Sequence, residues 1–283
     1  MPEGPSKPAS LSPALFAEEH QRTNERVAQA LRDYLGDPNE SNTRLLRASV
    51  RRLTTMLRII PKRSRKKQMR QSLDSGRKLL KATSRVRDVD IIEEKLSRLP
   101  RDHTVELLVN NLREEREEYV GDSMKAAWRL FEQRKQRTDR RDLRGAQRWL
   151  MRTLVELDEK VSKELTTVVK NEGKVEELHS LRKHAKTFRY ALELLPPTRS
   201  STRAIEVLRS WQDVLGEIRD CDTFIEYMGR ARQYGAVRES LAAERALRHR
   251  RYRSFVRSCS RDFRTGPSLL KLAGLSAKQP PNR

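Results

Sequence analysis

The stretch RLLRASVRRLTTMLR, from Arg44 to Arg58, carries two side-chain stripes at helical spacing. Arg44, Arg47, Arg51 and Arg58 fall on one face through i, i+3 and i+4 steps, and Leu46, Val50, Leu53 and Leu57 fall on another. The alternation of a strand is absent, so the segment reads as a helix with one face in a core and the other carrying guanidinium groups. Arg52 stands beside the basic stripe. The excess continues through Lys62, Arg63, Arg65, Lys66, Lys67 and Arg70, and no acid occurs from Ser41 to Leu73. A solvated helical face usually mixes Glu with Arg or Lys at i, i+4, so this run reads as more than a solubilising surface. Arginine suits phosphate because its planar fork makes paired, charge-assisted hydrogen bonds, whereas lysine supplies a mobile point charge.

A second stripe stands in LHSLRKHAKTFRYALELL, Leu178 to Leu195. His179, Arg182, Lys186 and Arg189 share a face, Lys183 and Tyr190 flank it, and Leu178, Leu181, Ala185, Phe188, Leu192 and Leu195 form the apolar side. Helical periodicity extends over the ordered chain and predicts an all-α fold. Ser12 caps a helix that starts at Pro13 and ends at Gly36, and a second helix runs from about Ser41 to just before Pro61. Further helices are expected over Ser64–Ala82, Asp88–Leu99, Asp102 to about Thr138, Asp142–Asn171, Val175–Leu195, Ser200–Glu217, Asp220–Tyr234 and Ala236–Phe263, with breaks at Pro100, Gly173 and Pro196-Pro197. In each half a basic helix leads through an intervening helix to an Arg-Asp-x-Asp sequence, Arg87-Asp88-Val89-Asp90 or Arg219-Asp220-Cys221-Asp222. This repetition predicts two related antiparallel bundles within one domain spanning residues 11–263, divided at about 138/139. The Pro-, Gly- and Ser-bearing ends, 1–10 and 264–283, read as a disordered and a flexible tail.

The chain has 283 residues, 61 Lys+Arg against 39 Asp+Glu, a formal charge of +22 and a pI near 10.5. That balance points to a polyanionic partner. Aromatic residues make up only 5%, which disfavours base stacking as the mode of binding. Cys221 and Cys259 form no CxxC motif, so disulfide-framework and metal-cluster readings are weak and a reducing, cytoplasmic setting is expected. No apolar stretch approaches the roughly 18 residues of a membrane span. P-loop, GxSxG and HExxH motifs are absent from the sequence. Trp128, Trp149 and Trp211 fall among apolar helical positions and read as core.

The pattern His179-x-x-Arg182-Lys183-x-x-Lys186-x-x-Arg189-Tyr190 resembles the second signature helix of the CHAD family, the conserved histidine α-helical domain, and WQDVLGEIRDCD, Trp211 to Asp222, resembles its following segment. Arg47, Arg51, Arg52 and Leu53 fit the family's HxxRxxxRRLR pattern in the first half, with Arg44 at the histidine position and Thr54 at the last arginine position. The resemblance implies two helical bundles around a basic central cavity that binds inorganic polyphosphate without catalysis and without a cofactor or metal. The residues it assigns to polyphosphate are Arg44, Arg47, Arg51, Arg52, Arg58, His179, Arg182, Lys183, Lys186, Arg189 and Tyr190. Recruitment to polyphosphate granules would follow from such binding.

Other readings remain open at this stage. The same charge attracts DNA or RNA phosphates, which makes a nucleic-acid-binding helical protein the alternative, and a metal-dependent polyphosphate or triphosphate hydrolase is a third class. His179 reads as a phosphate contact or a buried structural residue. The acidic pairs Asp88 with Asp90 and Asp220 with Asp222 read as helix-start caps paired with arginine, or as Mg²⁺ ligands beside phosphate.

Overall fold

The computed structural model describes residues 11–100, 102–133, 143, 145–230, 235–263 and 268–276. These form α1 (Pro13–Gly36), α2 (Glu40–Ile59), a short 3-10 turn (Lys62–Ser64), α3 (Lys67–Leu96), α4 (His103–Gln133), α5 (Ala146–Val168), α6 (Val175–Leu192), α7 (Arg199–Arg230), α8 (Gly235–Asp262) and α9 (Leu269–Leu272). No strand occurs among the described residues. The Ser12 hydroxyl accepts from Leu15 N–H and Pro13 follows it, so α1 begins as its sequence requires. The Asn39 side chain caps α2 by accepting from Asn42 N–H.

Successive helices pack as neighbours within α1–α4 and within α5–α8. The two sets meet where α2 lies on α6 and α3 on α7. The main core takes the apolar stripe of α2, through Leu46, Val50, Leu53 and Leu57, and that of α6, through Leu181, Ala185 and Phe188. A second cluster joins Val89, Ile92 and Leu96 of α3 to Leu108 and Leu112 of α4, Phe224 and Met228 of α7 and Leu241 of α8. The apolar faces of α2 and α6 point into the core, and residues of their basic faces line one cleft together with residues of α3 and α7.

Several boundaries differ from the expectation. The breaks placed before Asp88 and before Asp220 do not exist, since α3 and α7 run through both points without interruption. No Gly or Pro stands at the first junction, α7 runs through Gly216 at the second, and Val86 with Val89, and Ile218 with Cys221, carry the buried stripe across. Asp88, Asp90, Asp220 and Asp222 therefore lie inside helices and cap nothing. Residues 268–276, expected within a flexible tail, instead fold back: Asp158 accepts from Leu269 N–H at 2.6 Å and Leu270 N–H at 3.2 Å, and Leu269, Leu270 and Ala273 are buried. Trp211 is core as expected, whereas Trp128 is 52% exposed and meets Phe131 edge-on. The tail 1–10, residues 277–283 and the expected helix ends at Thr138, Asp142 and Tyr234 lie outside the described residues.

Gly76 on α3 sets the separation of α2 from α3. A Cβ built there would stand 2.8 Å from Thr54 Cγ2 and 3.4 Å from Val50 Cγ1, both on buried side chains of α2. Added volume at this point has no exit. Gly76→Val is expected to lower stability by roughly 1–3 kcal/mol, outweighing the helix propensity gained by replacing glycine, and a thermal or urea melt measures it.

Candidate functional site: a basic cleft between four helices

The facing sides of α2, α3, α6 and α7 enclose a cleft of about 860 Å³. Its wall carries Arg44, Arg47 and Arg51 from α2, Arg87 and Asp88 from α3, His179, Arg182, Lys183, Lys186, Arg189 and Tyr190 from α6, and Gln212, Arg219 and Asp220 from α7. Two of the expected residues do not reach it. Arg52 instead covers the Tyr190 ring with its guanidinium at 4.9 Å and meets Glu193 at 3.4 Å. Arg58 is exposed near the end of α2, and its carbonyl accepts from Arg65 Nη2 at 2.9 Å. Arg65 also donates to Ile60 O at 2.7 Å, so this part of the basic run satisfies the last carbonyls of α2.

The cleft residues divide by what holds them. Arg47 donates to Leu80 O at 3.0 Å and Thr83 Oγ1 at 2.8 Å, which ties α2 to α3. Arg189 is buried, donates to Gln212 at 3.0 Å and Glu193 at 2.6 Å, and stacks over Tyr190 at 4.6 Å. Arg44 pairs with Glu40 at 2.6 Å, and Arg87 pairs with Glu40 and lies 3.6 Å from Asp220. The run from Ser41 to Leu73 is thus not devoid of counter-charge in space: Glu40 and Glu193 answer Arg44 and Arg52.

A different set lacks acceptors. Arg182 Nε and Gln212 Nε2 are buried with no hydrogen-bond partner among the described residues. Burial pushes Arg47 down to about 9, with Arg51, Arg182 and Arg87 adding to the effect against the pull of Asp88. Burial likewise lowers Arg182 to about 10, and both guanidinium groups remain charged at neutral pH. Lys186 falls to about 6 through burial and then through Arg182, Arg51, Arg47 and Arg189. Asp88 and Asp220 are raised above the usual carboxylate value by burial, against the pull of the surrounding arginines. Cations outnumber acids on the wall, which also carries Glu176, Asp213, Glu217 and Glu226, and the buried Arg182 Nε and Gln212 Nε2 are its donors without an acceptor.

His179 has partners for both ring nitrogens. Nε2 lies 2.9 Å from Asp222 Oδ2, and Nδ1 lies 3.5 Å from Arg219 Nη1. Asp222 also accepts from Arg248 of α8, whose guanidinium reaches Glu172 at 3.0 Å. The expectation that Asp222 caps a helix is replaced by this cross-link between α6, α7 and α8. His184 meets Glu164 at 2.9 Å on the α5 side, away from the cleft. Arg87, Asp88, Arg219 and Asp220 were not among the expected site residues, although the repeated Arg-Asp-x-Asp sequence was the signal that could have found them.

Burial works to raise the Asp222 carboxyl, but the hydrogen bonds and charges of His179 and Arg248 outweigh it and hold it below the usual value. Its contribution is therefore complete above about pH 4 and disappears as pH falls through the lowered value in the folded protein. Asp222→Asn is expected to cost roughly 1.5–3 kcal/mol at pH 7, and the gap between variant and parent melts should close below about pH 4.

The described residues hold no helix long and apolar enough to cross a membrane. No curated protein matches the chain. Among solved structures, the crystal structure of the CHAD domain from the plant Ricinus communis is similar, with a TM-score of 0.65 over 98% of this chain and 97% of that one at 16% identity. The family model of the CHAD domain matches residues 14–229, so the chain belongs to the CHAD domain family.

Proposed function

We propose that the protein binds inorganic polyphosphate along this cleft and does not cleave it. The observation that carries the reading is the acceptor-poor cluster of Arg51, Arg182, Lys186 and Gln212, whose buried donors and like charges call for a ligand dense in negative oxygens. A phosphate chain supplies one charge or more at every link and no bulky base or sugar. Lining from four helices favours such a thin chain over duplex nucleic acid, which could use only the outer surface. The two halves then act as a pseudo-repeated pair, α2 and α6 each giving one basic face to one ligand. Arg47 and Arg189 are held by protein acceptors and position the wall, while Arg51, Arg182 and Lys186 are the groups with most to gain from phosphate oxygen.

Catalysis is not part of the reading. Asp88 and Asp220 stand among Arg47, Arg87, Arg182 and Arg219, which favours a structural charge-balancing role over metal ligation or general-base chemistry. A cytoplasmic setting and recruitment to polyphosphate granules follow from the binding reading.

Competition between long-chain polyphosphate and duplex DNA at equal phosphate and fixed ionic strength is expected to favour polyphosphate, and equal displacement would support a non-selective basic surface. Arg51→Met and Lys186→Met should each weaken binding roughly ten- to a hundredfold, the equivalent of about 1.5–3 kcal/mol for a charge-assisted contact. Lys186 stands at about 6 in the free cleft and a phosphate neighbour raises it, so binding takes up a proton and affinity should fall as pH rises above 6. Lys186→Met should flatten that slope. Phosphate release from tripolyphosphate in the presence of Mg²⁺ or Mn²⁺ would contradict the non-catalytic assignment.

A further inference from the structure

A second concentration of arginine stands on α8, a helix that contributes nothing to the cleft wall. From Arg245 to Arg261 its sequence holds no acid, and every basic residue there except His249 is arginine. Tyr252, Phe255 and Cys259 bury the inner side of the helix: Tyr252 Oη donates to Val168 O at 2.7 Å, and Phe255 meets Trp211 edge-on. On one flank His249 pairs with Glu172 at 2.6 Å, and on the other Arg251 pairs with Glu217 at 2.7 Å. Between those flanks, opposite the buried side, Arg250, Arg253 and Arg257 are exposed at i, i+3 and i+7, and Arg261 follows one turn on.

Arg250, Arg253 and Arg257 form no ion pair among the described residues. Glu172, Glu217 and Asp262 answer the flanks and the end of the helix, through His249 with Arg248, Arg251 and Arg261, and leave its outward side uncompensated. Other exposed arginines differ: Arg22, Arg98, Arg152 and Arg230 each meet an acid one turn away on their own helix. The helix dipole favours cations in the last turn, which accounts for Arg261 and not for the three before it. Like charges at i, i+4 weaken a helix, and an outside anion offsets that effect.

We propose that the outward face of α8 docks the phosphate backbone of a nucleic-acid duplex without reading its sequence. The stripe from Arg250 to Arg261 runs about 16 Å along the helix, and a duplex presents one charge per roughly 1.7 Å of its axis on a broad, rigid surface. A convex helix meets such a surface from one side, whereas the four-walled cleft suits a thinner chain. Guanidinium forks pair with phosphate oxygens, and arginine is the cation used throughout the stripe. Ala246, Ser254 and Ser260 stand beside the arginines, so the face lacks the large apolar side chains with which a helix lies in a membrane interface. No residue of the stripe belongs to the cleft, so the inference stands apart from the phosphate-chain reading.

The experiment measures binding of the full chain to a short DNA duplex of mixed sequence by fluorescence anisotropy over a series of salt concentrations. Arg253→Gln with Arg257→Gln is expected to weaken binding roughly tenfold to a hundredfold near 0.1 M salt, and to reduce the slope of log affinity against log salt by about 2. Lys62→Gln with Arg63→Gln removes the same charge from another exposed position and should change both quantities little. Arg51→Met, in the cleft, should leave duplex binding intact. All four side chains of the paired variants are exposed, and circular dichroism checks that their helix content is kept. Equal losses in the two charge-matched pairs mean attraction to the whole basic surface and overturn the docking face, as does an unchanged slope in the α8 pair. Loss of duplex affinity in Arg51→Met places the duplex at the cleft and overturns it too. If the α8 pair loses affinity for polyphosphate or for anionic lipid vesicles while duplex affinity holds, the stripe serves that partner instead and the proposal fails, with the effect of Arg51→Met on polyphosphate still testing the cleft separately.

Discussion

Holding like charges together is the constraint on which the rest of the molecule depends. Arg47 and Arg51 of α2 and Arg182 and Lys186 of α6 act on one another across a single cleft, and burial weakens the solvent that would screen them. Two unit charges about 4 Å apart interact by about 4 kcal/mol at an effective dielectric near 20. One buried leucine or phenylalanine returns roughly 1.5–3 kcal/mol, so several are needed to hold such a wall in place. The opposite faces of the same two helices supply them, with Leu46, Val50, Leu53 and Leu57 on α2 and Leu181, Ala185 and Phe188 on α6 all buried. Packing fixes the positions of the charges, and the deprotonation of Lys186 relieves what packing leaves uncompensated.

Around that cluster the cations have distinct work. Arg47 joins α2 to α3 through backbone and threonine oxygens, Arg189 and Arg52 bracket Tyr190 and share Glu193, and Arg65 closes the end of α2. His179, Asp222, Arg248 and Glu172 form a chain from the cleft through α7 and α8 to the turn before α6. These residues give the wall its shape. On the proposed reading, a ligand rich in oxygen would meet guanidinium and amide donors already in position, at a smaller entropic cost than flexible surface lysines would impose.

The helical class and both basic stripes were legible in the sequence because the 3.6-residue period is local and the Arg and Leu sets separate cleanly on it. The junctions at Asp88 and Asp220 were misread for a physical reason: an aspartate beside an arginine looks the same in sequence whether it caps a helix start or answers charge from another helix. Asp222 lies 43 residues from His179, and Arg52 lies 141 from Glu193, so neither partner is visible from spacing. The same distance in sequence hid the difference between Arg51, which lines the cleft, and Arg52, its neighbour, which is held on Tyr190 and Glu193. The lowering of Lys186 comes first from burial and then from guanidinium groups of two helices, both of which arise only in the folded chain.

A crystal structure of the protein with tripolyphosphate tests the account most directly. The account predicts phosphate oxygens inside the cleft, within hydrogen-bond reach of about 2.7–3.2 Å from Arg51, Arg182 and Lys186, with the buried Arg182 Nε and Gln212 Nε2 donors satisfied. A chain bound instead on the exposed basic turn after α2, around Lys62 and Arg63, with the cleft unchanged, would contradict it.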